Sequence, residues 1–208
     1  VYMAAEVEAE VPATPPEMPT AEQIAAVARG SAVDRGFLWT VERDGHTSHL
    51  YGTLHVGKLA WAVPGPRVAR ALRASKVLAM ELDVSDPTIA RDLTARIRQS
   101  GPSPLPDALQ QRLRDAAAAE CLPWAALAEQ RPEFQLSAVT LALARREGLE
   151  AHFGSETVLG ALAQHLGVAT RSLETPDEQI AALTAGTPQE QVELVEAGPT
   201  LVGEVRRE

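Results

Sequence analysis

Three polar residues stand where apolar, β-prone stretches run out. They are His55 after "HLYGTL", Glu81 in "KVLAMELD" and Glu174 in "VATRSLE". An imidazole with carboxylates is a donor set for a divalent metal. The same groups can do general acid–base work without one. Gly52, three residues before His55, lets the backbone turn sharply or lets a ligand approach closely. The competing reading of His55 is structural, a polar cap on the end of a sheet. Glu81 is harder to assign to structure alone. Inside so apolar a run it is expected to be buried, and an unpaired buried charge costs on the order of several kcal/mol. It therefore needs a partner or a function.

Other reaction classes lack their residues. The chain has no H-E-x-x-H, C-x-x-C, G-x-S-x-G, P-loop or G-x-G-x-x-G pattern. His152 and Glu156 are four apart, but Gly154-Ser155 lies between them, so they need not share a helix face. Glu156 suits the first turn of a helix, where negative charge is favoured. His152 and His165 need no function, and His46 and His49 fall near a hairpin turn and read as solvated. Cys121 is the only cysteine, which excludes an intramolecular disulfide. In an Ala-rich helix it reads as a small buried hydrophobe rather than a nucleophile.

The elements that must position these residues follow from periodicity and punctuation. Thr20 starts a short helix to about Arg29. Leu38–Glu42 and Ser48–Leu54 form a hairpin around Asp44-Gly45, a favoured two-residue turn. Pro64 and Pro66 open a helix with Val68, Ala69 and Leu72 inward. Val77–Leu82 is apolar enough for a strand covered on both faces. Residues 86–148 read as an all-helical insert, with starts at Asp86-Pro87 and Pro106-Asp107 and breaks at Pro123 and Pro132. Ser155 is expected to cap a helix carrying Val158, Leu159, Leu162 and Leu166, which Gly167 ends. A strand then runs to Glu174. Thr175 with Glu178, and Thr187 with Glu190, are capping boxes. The last helix should turn Val192, Val195 and Val202 inward and break or kink at Gly198-Pro199. The fold class is α/β: a mixed central sheet with flanking helices and the helical insert, as one domain over residues 20–208.

The net charge of −9 and the pI near 5.1 argue against a nucleic-acid partner. Arg67, Arg70 and Arg73 make a local basic face, best read as a solvated helix surface. Residues 1–19, rich in Pro, Glu and Ala, read as a flexible leader. Such a leader suits an exported, periplasmic or membrane-tethered domain; a cytoplasmic protein is the alternative.

Four short motifs in a fixed order carry a family resemblance. "LYGTLHVG" resembles the first G-x-x-H motif of the TraB/GumN family, to which the Tiki metalloproteases belong. "VLAMELD" is similar to the strand that follows it, and "FGSETVLGALAQHLG" and "RSLETPDEQ" resemble two later motifs. The resemblance spans about residues 37–185. It implies an α/β fold with a helical insert and, in the Tiki branch, a peptidase supported by manganese or cobalt. His55 and Glu81 would then be metal ligands, and His55, Glu81 and Glu174 the catalytic positions. Gly52 and Glu156 would contact a peptide or protein substrate. A protein that sequesters a peptide or other ligand without turnover is the second reading. The resemblance also places a second G-x-x-H motif after the helix ending near Arg207, so the family's C-terminal part is expected outside this sequence.

Overall fold

Asp44 and Gly45 adopt positive φ values of 51° and 74°, the twist a two-residue hairpin turn requires. The turn joins β1 (Leu38–Arg43) to β2 (His46–Tyr51) in an antiparallel pair with Arg43 opposite His46. The computed structural model describes residues 20–184 and 186–204. The leader, Arg207 and the side chain of Val202 fall outside the described residues. Before the hairpin lies α1 (Ala21–Ser31), closed by a capping box between Thr20 and Gln23.

After the hairpin, α2 (Pro66–Ala74) buries Val68, Ala69, Ala71 and Leu72. Its N-terminus is capped from far along the chain: the Asp34 carboxylate accepts from the N–H groups of Arg67 and Val68 at 2.9 and 3.2 Å. The chain continues into β3 (Val77–Met80), α3 (Pro87–Arg96), α4 (Asp107–Ala119), α5 (Trp124–Leu127) and α6 (Pro132–Ala144). Next come α7 (Ser155–Leu166), β4 (Ala169–Ser172), α8 (Pro176–Leu183) and α9 (Pro188–Glu204). Thr175 and Thr187 close their capping boxes with Glu178 and Glu190. Gly167 ends α7 in the left-handed conformation at φ 69°. Among the described residues, no helix is long and apolar enough to cross a membrane.

The α/β class with flanking helices holds, and residues 86–148 are built from helices and turns with one isolated bridge pair, Arg98 with Gln130. The strands come as two separate pairs: β1–β2 antiparallel and β3–β4 parallel, with Met80 opposite Ser172. One core lies between α2 and α7, where Val68, Leu72, Leu159 and Ala163 meet Leu38, Tyr51 and Leu78. A second joins Leu105, Leu109 and Leu113 to Val195 of α9, and a third gathers Ala117, Leu127 and Val139.

Several expectations are corrected. β2 ends at Tyr51, not Leu54: the Gly52 N–H still donates to the Phe37 carbonyl at 3.0 Å, but Leu54 bonds Ser155, 101 residues on. β3 is not covered on both faces: its residues alternate between exposed and half-buried, because a two-stranded sheet backed by α7 on one side leaves its other face open. Glu81 is accordingly exposed, so the cost of burial does not constrain it. Cys121 is exposed. It takes the left-handed position after α4, at φ 57°, where Leu122 N–H reaches back to the Ala117 carbonyl at 2.8 Å, and this turns the thiol outward. The N-cap of α7 is Gly154, not Ser155. α9 does not break at Gly198-Pro199. Its glycine sits directly against α6, since a Cβ there would stand 2.5 Å from Leu136 Cδ1, and this packing carries the helix past the proline.

Candidate metal centre

The His55 segment is moored on both sides. Before it, the Leu54 N–H donates to Ser155 Oγ at 2.7 Å, and the Ser155 N–H donates to the Leu54 carbonyl at 2.9 Å. After it, Gly57 and Glu150 exchange two backbone hydrogen bonds at 2.9 and 2.7 Å. Two glycines make this contact possible. A Cβ at Gly57 would stand 2.0 Å from the Phe153 carbonyl oxygen, and one at Gly154 would stand 2.5 Å from the His55 carbonyl oxygen. His55 is therefore not a residue at the end of a strand. It belongs to a loop held against the N-terminus of α7.

That docking sets His55 over Glu156, in the first turn of α7, with Nδ1 3.5 Å from Oε2. The imidazole is 72% exposed and the carboxylate 21%. The helix N-terminus favours a negative charge there. Glu81 arrives from the carboxyl end of β3, and one donor atom each of His55, Glu81 and Glu156 lie within 4.8 Å of one another. The carboxyl ends of parallel strands are where α/β folds collect ligands.

The donors fit a divalent cation. Bonds of about 2.0–2.2 Å place ligand atoms about 3–4 Å apart around the ion, which small side-chain rotations reach from 4.8 Å. One nitrogen and two carboxylate groups suit manganese, cobalt or zinc over metals that prefer thiolate.

Glu174 stands beside this group. The parallel ladder runs past β3 and β4, with the Glu174 N–H donating to the Glu81 carbonyl at 3.0 Å. Its half-buried side chain is not one of the three that converge. Gly52 borders an apolar cavity of about 240 Å³ with Leu54, Trp61 and Val158, and open space lies where its Cβ would be. His152 is outside the group and packs edge-on against Phe153 at 4.1 Å.

Asp83 fixes the chain just beyond Glu81. Its N–H donates to Ser172 Oγ at 2.9 Å, and its carboxylate accepts from the hydroxyls of Ser85 and Thr170. These hydroxyls hold its pKa below the usual aspartate value.

The convergence of Glu156 with His55 and Glu81 is what residue types and spacing alone do not reveal, since the helix dipole already accounts for a glutamate there. The available signal was the pair of glycines, one beside each partner, that permit close approach of two backbones.

A family model described as TraB/PrgY/gumN matches residues 37–200, which contain the whole mooring and all three converging side chains. No match was found among curated proteins or among solved structures. On the strength of the family match, the chain belongs to the TraB/PrgY/gumN family.

Proposed function

We propose that this chain carries the metal centre of a divalent-metal-dependent peptidase or related hydrolase. The observation that supports the reading most is the meeting of His55, Glu81 and Glu156 from three distant segments. A bound ion would supply a Lewis acid for the scissile carbonyl and a water of lowered pKa. His55 and Glu156, already paired, are the residues that would hold it. Glu81, exposed on the strand rim, serves either as the third ligand or as the base that receives the proton of the water. Glu174 lies one ladder step away and would orient the substrate or its neighbouring carboxylate.

The test begins with metal. Co²⁺ titrated into the metal-stripped chain should raise visible d–d absorption, and His55→Ala and Glu156→Gln should each weaken binding at least about tenfold. A peptide library offered with and without Mn²⁺ then separates turnover from retention. Cleavage that requires metal and His55 supports the hydrolase. Peptide retained without cleavage supports a sequestering protein. Co²⁺ binding indifferent to both substitutions would remove the proposed centre.

A further inference from the structure

A cavity of about 510 Å³ lies between the β1–β2 hairpin and α2. Arg35, Arg67 and Arg70 line it together with Phe37 and Trp39. Among the described residues, no carboxylate comes within 4.0 Å of these three guanidinium groups. The one acid in the wall, Asp34, is turned to the backbone of α2. His49 is engaged by the Thr40 hydroxyl at 3.2 Å. The cavity thus has an excess of positive charge in a chain whose net charge is −9.

A solvated helix face would account for Arg67 and Arg70, which are three apart on α2. It does not account for the aromatics. Phe37 and Trp39 are 71% and 52% exposed and stack on each other with centroids 5.7 Å apart. The Tyr51 hydroxyl donates to the Arg35 carbonyl at 2.7 Å, which steadies the backbone between the arginine and the aromatics. The Arg35 guanidinium donates to the Val33 carbonyl at 3.3 Å, which leaves its charge, like those of Arg67 and Arg70, without a carboxylate partner among the described residues. Such guanidinium groups beside a preformed apolar shelf complement a ligand with a carboxylate next to an apolar side chain.

The cavity also shares part of its wall with a second cavity near the proposed metal centre. Arg35, Gly36 and Phe37 line both this cavity and the apolar one bordered by Gly52, Thr53, Leu54 and Ser155. Those last residues lead directly into His55 and Glu156.

We propose that the hairpin–α2 cavity binds a carboxylate-bearing apolar end of a peptide. The carboxylate sits among Arg35, Arg67 and Arg70, and the apolar side chain lies on Phe37 and Trp39. That this peptide is the substrate of the metal centre rests on the peptidase reading; the binding itself does not.

The experiment uses the whole chain in EDTA and fluorescein-labelled five-residue apolar peptides, each with one phenylalanine. One peptide has a free C-terminus, one is amidated, and one is amidated with a glutamate beside the phenylalanine. At least one carboxylate-bearing peptide should bind at least tenfold more tightly than the plain amide, and less tightly as salt rises. The free-terminus and glutamate peptides show which source of carboxylate is preferred. The double variant Arg67→Ala/Arg70→Ala, on exposed helix positions, should abolish the preference. Trp39→Ala should weaken the carboxylate-bearing peptides. Equal binding of acid and amide, no binding of any peptide, or an undiminished preference in the double arginine variant would each overturn the proposal. Because no metal is present, failure of the metal centre leaves this result standing, and the reverse also holds.

Discussion

A Cβ at Gly154 would stand 2.5 Å from the carbonyl oxygen of His55. The glycine thus sets how close the His55 loop comes to α7, and that approach sets the distance from imidazole to Glu156. Gly154→Ala should force the two backbones apart. Overpacking of this kind costs about 1–3 kcal/mol. Co²⁺ affinity should fall with it, although neither residue 154 nor its new methyl group is a ligand. A denaturation curve and a metal titration on the same variant check both effects. An unchanged metal affinity would mean that the loop position does not govern the site.

Ser155→Ala probes the same mooring more gently. The change removes the acceptor of the Leu54 N–H, a bond of 2.7 Å, and leaves the reciprocal backbone bond in place. The expected loss is about 1 kcal/mol, with a smaller drop in Co²⁺ affinity than Gly154→Ala gives. Hydrogen exchange at the Leu54 amide should accelerate, which NMR reads directly.

Asp83 gives the fold a signature in acid. Hydrogen bonds from the Ser85 and Thr170 hydroxyls to its ionised carboxylate lower its folded pKa. Asp177, bonded to Arg96 across α8 and α3, is lowered as well. A depressed carboxylate contributes stability that is present above the unfolded value of about 3.9. That stability is lost as pH falls through the lower folded value. Stability should therefore decline below about pH 4, and Asp83→Asn should flatten that decline. Urea midpoints measured from pH 2.5 to 6 would show it; an unaltered acid limb in the variant would exclude Asp83 as a contributor.

Local chemistry made much of this fold legible. The Asp44-Gly45 turn, the proline starts of α2, α3 and α6, and the boxes at Thr175 and Thr187 each depend on a few adjacent residues. Local chemistry does not reach the places where distant segments decide. Gly52–Leu54 is β-prone, yet it leaves the strand because Ser155 offers Leu54 a partner. Glu81 sits in an apolar run, yet it is exposed because the sheet beneath it has only two strands. Glu156 suits the first turn of a helix and, by resemblance, a substrate contact, but only the docked loop brings His55 to it. The capping role of Asp34 on α2, thirty-odd residues away, had no local signal at all.

The separation of the cores permits a final test of which packing supports the proposed metal centre. Leu113 is fully buried with Leu109 and Val195 between α4 and α9, and none of these residues packs against the His55 mooring. Leu159 lies three residues beyond Glu156 on α7, so it is on the same side of the helix, and it packs against Val68 and Leu72. Truncation of either leucine to alanine should cost about 2–5 kcal/mol. Only Leu159→Ala should also weaken Co²⁺ binding, because it loosens the helix turn that presents Glu156. Leu113→Ala should lower the unfolding midpoint while the folded protein binds metal as before. Equal losses of metal affinity in the two variants would show that the helical core and the site respond as one cooperative unit, and that the His55 mooring is not the local determinant of the centre.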